Sequence, residues 1–173
     1  MIKKLLFAAG LSLLCTISVG RTLTPLSTPR DAPSFQLPDL DGAPKHLEDF
    51  KGRYLLVNFW AVWCTPCRAE MPSMQRLYET LGDDDLAMLA VHVGPSAANA
   101  KQYAKTLGLK FPIVVDENMA LSDWQVQGLP TTYLVDPQGR IVAKAVGERH
   151  WDSNDMRKAL QQLIGKPAAS GKG

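Results

Sequence analysis

An α/β fold with a mixed sheet is predicted for this chain, and three observations predict it. Between residues 54 and 126, apolar runs of strand length alternate with stretches of helical period. Strands linked by helical crossovers pair in parallel, so this part supplies parallel strands. Two further apolar runs flank Pro137-Gln138-Gly139, and an amphipathic stretch follows, which together add a hairpin and a closing helix. With 173 residues and 46% hydrophobic content, the chain suffices for one domain with a core and is too short for two large ones.

Residues 1–20 stand apart from that pattern. Lys3 and Lys4 precede an apolar run of 15 residues, 5–19, and Ser18 and Gly20 are small where a signal peptidase reads. This predicts a secretory signal peptide and a periplasmic or other extracytoplasmic location. An uncleaved membrane anchor is the alternative, although 15 residues fall short of the ~20 that span a bilayer. A lipoprotein acylated at Cys15 would carry bulky Leu14 where a small residue is expected. Residues 21–32 hold Pro25, Pro29, three Thr and one Ser without an apolar period, and read as a linker.

The domain is expected over residues 33–165, with residues 166–173 a disordered polar tail. Residues 35–38 and 45–47 flank the turn signal Asp41-Gly42 and form an N-terminal hairpin, followed by one helical turn over 47–51. Residues 54–60 form the first central strand. A helix over 66–81 places Met71, Met74, Leu77, Tyr78 and Leu81 on one face, with a kink at Pro72. Residues 86–93 are almost continuously apolar, as in a strand covered on both faces. A helix over 97–107 closed by Gly108, a strand over 111–115 and a short helix over 119–126 follow. Strands over 131–136 and 140–146 make the hairpin. The last helix, 152–164, lines up Met156, Ala159, Leu160, Leu163 and Ile164. Asp83-Asp84-Asp85 lacks the spacing and glycine of a calcium loop and reads as solvated.

Charge and cysteine content narrow the function. The net charge is +2 without a basic run, which gives no ground for a nucleic-acid partner. Cleavage after Gly20 removes Lys3 and Lys4 from the 19 basic residues, leaving 17 against 17 acidic ones, and also removes Cys15. Cys64 and Cys67 then remain as the sole pair in a compartment where disulfides form readily.

The pair stands in Trp63-Cys64-Thr65-Pro66-Cys67, at the junction of a buried strand and a helix. A thiol there faces unpaired backbone N–H groups that favour its thiolate. Exchange requires one thiolate to attack and a second to resolve the mixed disulfide. Cys64 is the expected exposed nucleophile and Cys67, one turn in, the buried resolving thiol. Pro66 suits the first turn, where its missing N–H costs little. Glu70, three residues beyond Cys67, can exchange a proton with it, or can equally be a solvated partner of Arg68. Trp63 reads as packing or as an apolar collar for partner proteins. Far along the chain, Leu129-Pro130 precedes a strand and can be a cis peptide whose Leu129 backbone receives an extended substrate, or an ordinary trans proline.

Other chemistries fit two cysteines less well. A structural zinc site needs about four ligands, while His46, His92 and His150 are scattered. No metal or other cofactor is therefore expected. A copper(I) carrier would use the two thiolates alone. A thiol peroxidase would use Cys67 in Thr65-Pro66-Cys67.

At these residues the sequence resembles the TlpA/ResA-like branch of the thioredoxin superfamily. The block Val57-Asn58-Phe59-Trp60-Ala61-Val62-Trp63-Cys64-Thr65-Pro66-Cys67-Arg68-Ala69-Glu70-Met71-Pro72 carries the likeness, with Phe111-Pro112, Asp116 and Gly128-Leu129-Pro130-Thr131-Thr132-Tyr133-Leu134-Val135-Asp136. It extends over about residues 33–164. The resemblance implies a thioredoxin fold with a central strand–helix insertion near residues 97–126, a cis Pro130 and a buried acid at Glu70. Ordinary thioredoxins have an Asp where this chain has Asn58. Members that mature cytochrome c often carry Glu after the cis proline, where this chain has Thr131. The Pro-His dipeptide of strong oxidases is also missing. The resemblance therefore implies an exported reductant of protein disulfides, supplied with electrons by a membrane thiol relay of the CcdA/DsbD kind.

Overall fold

The computed structural model describes residues 22–81, 86–119 and 122–165. The predicted signal segment with Cys15, the Asp83-Asp84-Asp85 loop and the predicted tail lie outside the described residues. Among the described residues there are eight strands: β1 (Thr24–Asp31), β2 (Gln36–Pro38), β3 (Pro44–His46), β4 (Tyr54–Trp60), β5 (Leu86–Val93), β6 (Ile113–Asp116), β7 (Thr131–Val135) and β8 (Arg140–Val146). Three α-helices accompany them: α1 (Thr65–Leu81), α2 (Ala97–Leu107) and α3 (Asn154–Leu163).

Six strands make one mixed sheet in the order β1-β8-β7-β4-β5-β6, and β2 and β3 form a separate hairpin. The α1 and α2 crossovers make β4, β5 and β6 parallel, while β7 runs antiparallel to β4 and β8 to β7. The period-2 alternation of β4 splits the core. Leu56 and Trp60 pack with Met71, Met74 and Leu77 of α1, whereas Leu55, Val57 and Phe59 face Trp124 and Tyr133. The central strand therefore carries apolar side chains on both faces, and its C-terminal end delivers the chain to the cysteines.

Two local expectations are corrected. Residues 21–32 were expected as a linker, but β1 pairs with β8 from Thr24↔Lys144 to Asp31↔Arg140. Most of its side chains are exposed, so it shows no apolar period. Both prolines are tolerated because an edge strand leaves N–H positions unpaired, and the register shifts between Pro25 and Arg30. The helix expected over 119–126 is a single 3₁₀ turn, Ser122–Trp124. Met119 and Gln125 adopt positive φ (51° and 56°), which interrupts a helix on either side. The fully buried Trp124 ring packs on Phe59 and Tyr133, and this draws the turn inward.

Pro72 lies inside α1 and has no N–H to offer the carbonyl of Arg68. The Tyr103 hydroxyl on α2 donates to that carbonyl at 3.1 Å instead. Ser153 caps α3 by accepting from the Met156 N–H at 3.2 Å.

Candidate active site

Cys64 immediately precedes α1, and its Sγ is bonded to that of Cys67, with 5.3 Å between the Cα atoms. The strand-to-helix junction builds this proximity. The Cys64 N–H bonds the Ala61 carbonyl at 3.1 Å, and the Arg68 N–H bonds the Cys64 carbonyl at 3.1 Å. Cys67 also donates its N–H to Cys64 Sγ at 3.3 Å. Pro66 has no N–H, so this donor and the helix dipole are what the site offers a Cys64 thiolate. Both cysteines are buried, Cys64 with 6% exposure and Cys67 with none, so Cys64 is the more open of the two but not the exposed thiol that was expected.

Glu70 is buried with 1% exposure, one helical turn beyond Cys67. Its Oε1 accepts from Asn58 Nδ2 at 2.8 Å. Its Oε2 accepts from the Arg149 main-chain N–H at 3.1 Å and from Trp151 Nε1 at 3.0 Å. Burial pushes the carboxyl up from 4.5 to about 7, against the opposing pull of those three hydrogen bonds and the Arg149 charge. The solvated alternative for Glu70 is thereby replaced by a buried acid that changes charge near neutrality. Asn58, at the middle of β4, also donates to Thr132 Oγ1 at 2.8 Å, tying the acid to β7.

On the outer side, the Leu129–Pro130 peptide is cis, Pro130 is buried and Leu129 half-buried. Leu129 lines a groove of about 280 Å³ with Phe59, Trp63, Val93, Met119 and Val126. Trp63 is 69% exposed and Met119 64%, unusual values for large apolar side chains. Pro66 is exposed on the first turn of α1. The predicted residues Trp63 and Leu129 thus share one surface beside Cys64.

Sequence reasoning did not reach Trp151, Arg149, Thr132 or Met119. Each arrives from a distant segment, and no local pattern links it to Glu70 or Trp63. His92 was weighed only as a zinc ligand. It is buried, its Nε2 accepts the Val62 N–H at 3.3 Å, and burial holds its pKa below the ordinary value. Its neutral ring therefore braces the loop that leads to Cys64. Among the described residues, no group of three His, Cys, Asp or Glu is placed to hold a metal ion.

A dithiol pair at the start of a helix, set on the central strand of a mixed sheet opposite a cis-proline loop, defines the thioredoxin-like class. Residues 29–144 match the AhpC/TSA family. The chain is 37% identical to the thiol-disulfide oxidoreductase ResA of Geobacillus thermodenitrificans, over 92% of this chain and 90% of that one. It is 32% identical to the ResA of Bacillus subtilis, over 84% of this chain and 86% of that one. A solved thioredoxin domain of a thiol-disulfide oxidoreductase from Bacteroides vulgatus aligns with a TM-score of 0.69 at 28% identity, covering 80% of this chain and 99% of that one. The chain belongs to the AhpC/TSA thioredoxin-like family and, within it, to the ResA-like thiol–disulfide oxidoreductases.

Proposed function

We propose that the chain is an exported reductant of protein disulfides. The Cys64–Cys67 pair is its redox couple, Glu70 its proton partner, and Trp63, Pro66, Leu129 and Pro130 its substrate surface. The observation that carries this reading is the juxtaposition of a slightly exposed Cys64, a fully buried Cys67 and a buried carboxyl that titrates near neutrality. Reduced Cys64 attacks a substrate disulfide and displaces one substrate thiolate. Cys67 gives its proton to Glu70, attacks Cys64 Sγ, closes the Cys64–Cys67 disulfide and releases the second substrate thiolate. Two electrons pass from this chain to the substrate. A membrane thiol relay of the CcdA/DsbD kind is the proposed source that restores them.

The direction of electron flow is supported by the missing Pro-His dipeptide between the cysteines, where Thr65-Pro66 stands. Thr131 after the cis proline argues for protein disulfides in general over apocytochrome cysteines alone. Export is supported by the charge and apolar pattern of residues 1–20. No helix of the described residues is long and apolar enough to cross a membrane.

Insulin reduction by wild type and by Cys64→Ser tests the exchange reading. Complete loss of turnover in the variant is expected, and equal turnover would overturn it. A copper(I) carrier would instead show stoichiometric metal uptake with no turnover in either protein. The peroxidase alternative is disfavoured by Cys67, which has no exposed surface for a peroxide to reach. N-terminal sequencing of exported protein checks the signal, with Arg21 expected first and Met1 contradicting cleavage.

A further inference from the structure

The side chain of Asn58 is fully buried, and its amide is used unevenly. Nδ2 donates to both Glu70 Oε1 and Thr132 Oγ1, each at 2.8 Å, whereas Oδ1 has no hydrogen-bond partner. An unmet buried acceptor costs stability, and an apolar β-branched residue at this strand position would avoid it. A side-chain amide differs from such a residue in having two chemically opposite ends on one rotor.

The two oxygens of Glu70 are also unequal. Oε2 accepts from two N–H groups, the Arg149 main chain and the Trp151 indole. Neither donor has a lone pair to present, so a proton on Oε2 would face two N–H groups. Oε1 accepts only from the Asn58 amide among the described residues. The proton therefore belongs on Oε1. When it arrives there, a half-turn about the Asn58 Cβ–Cγ bond brings Oδ1 to the place of Nδ2. The Oε1–H then donates to Oδ1, and the Thr132 hydroxyl, which can donate or accept, reverses its bond as well. Glu70 keeps a hydrogen bond to β4 in both protonation states.

We infer that Asn58 is a positioning residue for the proton step, turning its amide to follow the proton on Glu70 Oε1. The inference rests on the exchange reading, in which Glu70 serves Cys67. In that step the Cys67 S–H bond breaks, the proton passes to Oε1 and the electron pair stays on sulfur. The thiolate then attacks Cys64 Sγ in the mixed disulfide and expels the substrate thiolate. Asn58 on β4, and Trp151 and Arg149 after β8, bond the Glu70 carboxylate, Thr132 on β7 joins it through Asn58, and Cys67 stands one turn earlier on the same helix. The Arg149 guanidinium donates to the Gly147 and Glu148 carbonyls, and its charge favours the ionised carboxylate. An Asp at position 58 would present only acceptors to an ionised Glu70, so it could not serve that state.

The test uses isotope-labelled full-length protein in its oxidised form, titrated from about pH 5 to about pH 9 while the Glu70 carboxyl carbon and the Asn58 side-chain amide are followed by NMR. Expected at high pH are nuclear Overhauser contacts from the Asn58 Nδ2 protons to the Thr132 methyl group. They should disappear at low pH with the Glu70 midpoint. Contacts that persist unchanged while Glu70 titrates would overturn the inference. Asn58→Leu removes the donor to the charged form and should raise the Glu70 midpoint by about one pH unit or more, with Asn58→Asp failing to restore it. An unchanged midpoint in Asn58→Leu would also overturn the inference, and the wild-type contacts decide it if that variant does not fold. Oxidised protein carries out no exchange, so this result stands apart from the Cys64→Ser assay.

Discussion

The two sides of the Cys64–Cys67 pair are built from opposite materials. Outward lies the apolar groove, with Trp63 and Met119 exposed to solvent and Leu129 half-buried. Inward lies a polar knot of Glu70, Asn58, Trp151 and the Arg149 backbone, closed off from solvent and hydrogen-bonded. Thiol exchange poses two separate problems, holding a protein chain and moving a proton. On the proposed reading, this molecule assigns them to different faces. Apolar surface suits the first because it attracts varied sequences without fixed geometry. Burial away from water suits the second because, despite the hydrogen bonds, it lifts the carboxyl to about 7, where it can both take and give a proton.

Substitution on the inner side should carry the largest effect. Glu70→Gln keeps the shape but removes the proton acceptor, and the resolving step should slow by about 10²-fold at neutral pH. Stopped-flow trapping of the mixed disulfide checks this, and its accumulation in the variant is expected. The same group contributes to the pH dependence of stability. Folded Glu70 holds its proton up to about pH 7, whereas the unfolded chain releases it near 4.5. The native state therefore binds more protons in that window, and stability falls as the pH rises through it. A shift of this size corresponds to about 3 kcal/mol. Denaturant unfolding of the oxidised protein at pH 5 and pH 8 should show wild type losing stability between the two, and Glu70→Gln losing much less.

Substitution on the outer side should act on affinity alone. Trp63→Ala removes the most exposed aromatic surface of the groove. The KM for a peptide disulfide should rise about tenfold with kcat nearly constant, as expected for a contact worth 1–2 kcal/mol. Adding Met119→Ser should raise KM further, while Leu107→Ser, an exposed apolar residue at the end of α2, should leave it unchanged. A fall in kcat for Trp63→Ala would join the two sides that the structure separates.

The two sides also differed in how far the sequence revealed them. The strand, helix and dithiol were legible because β4 and α1 are contiguous and each follows its own period. Glu70 was visible only as one turn from Cys67, and the resemblance was needed to read it as buried. Its partner Trp151 lies 81 residues away and Thr132, which Asn58 ties to it, 62, and only the sheet order brings β7 and the segment after β8 to α1. The groove escaped for another reason. Met119 stands in a segment whose apolar residues suggested a helix, and the burial of Trp124 overrode that local preference. β1 was hidden because an edge strand exposed on most positions needs no apolar alternation.

A small effect is expected where neither side is touched. Tyr103 packs against Trp60, with ring centroids 5.7 Å apart, and its hydroxyl reaches the Arg68 carbonyl that Pro72 leaves without a partner. Tyr103→Phe keeps the ring and removes only that donor. The bond is exposed, so water replaces it in part, and the loss should be about 0.5–1 kcal/mol. For a chain of this length that lowers Tm by about 2 °C. Arg68 lies on α1 directly after Cys67, so the same substitution also asks whether this end of the helix must be held firmly for exchange. If proton transfer depends on Glu70 and its own donors, and substrate affinity on the groove, Tyr103→Phe should reproduce the wild-type pH profile and KM despite the lower Tm. A displaced pH profile would mean that Pro72 and its substitute partner belong to the inner side, and the polar knot would then extend from β7 across α1 to α2.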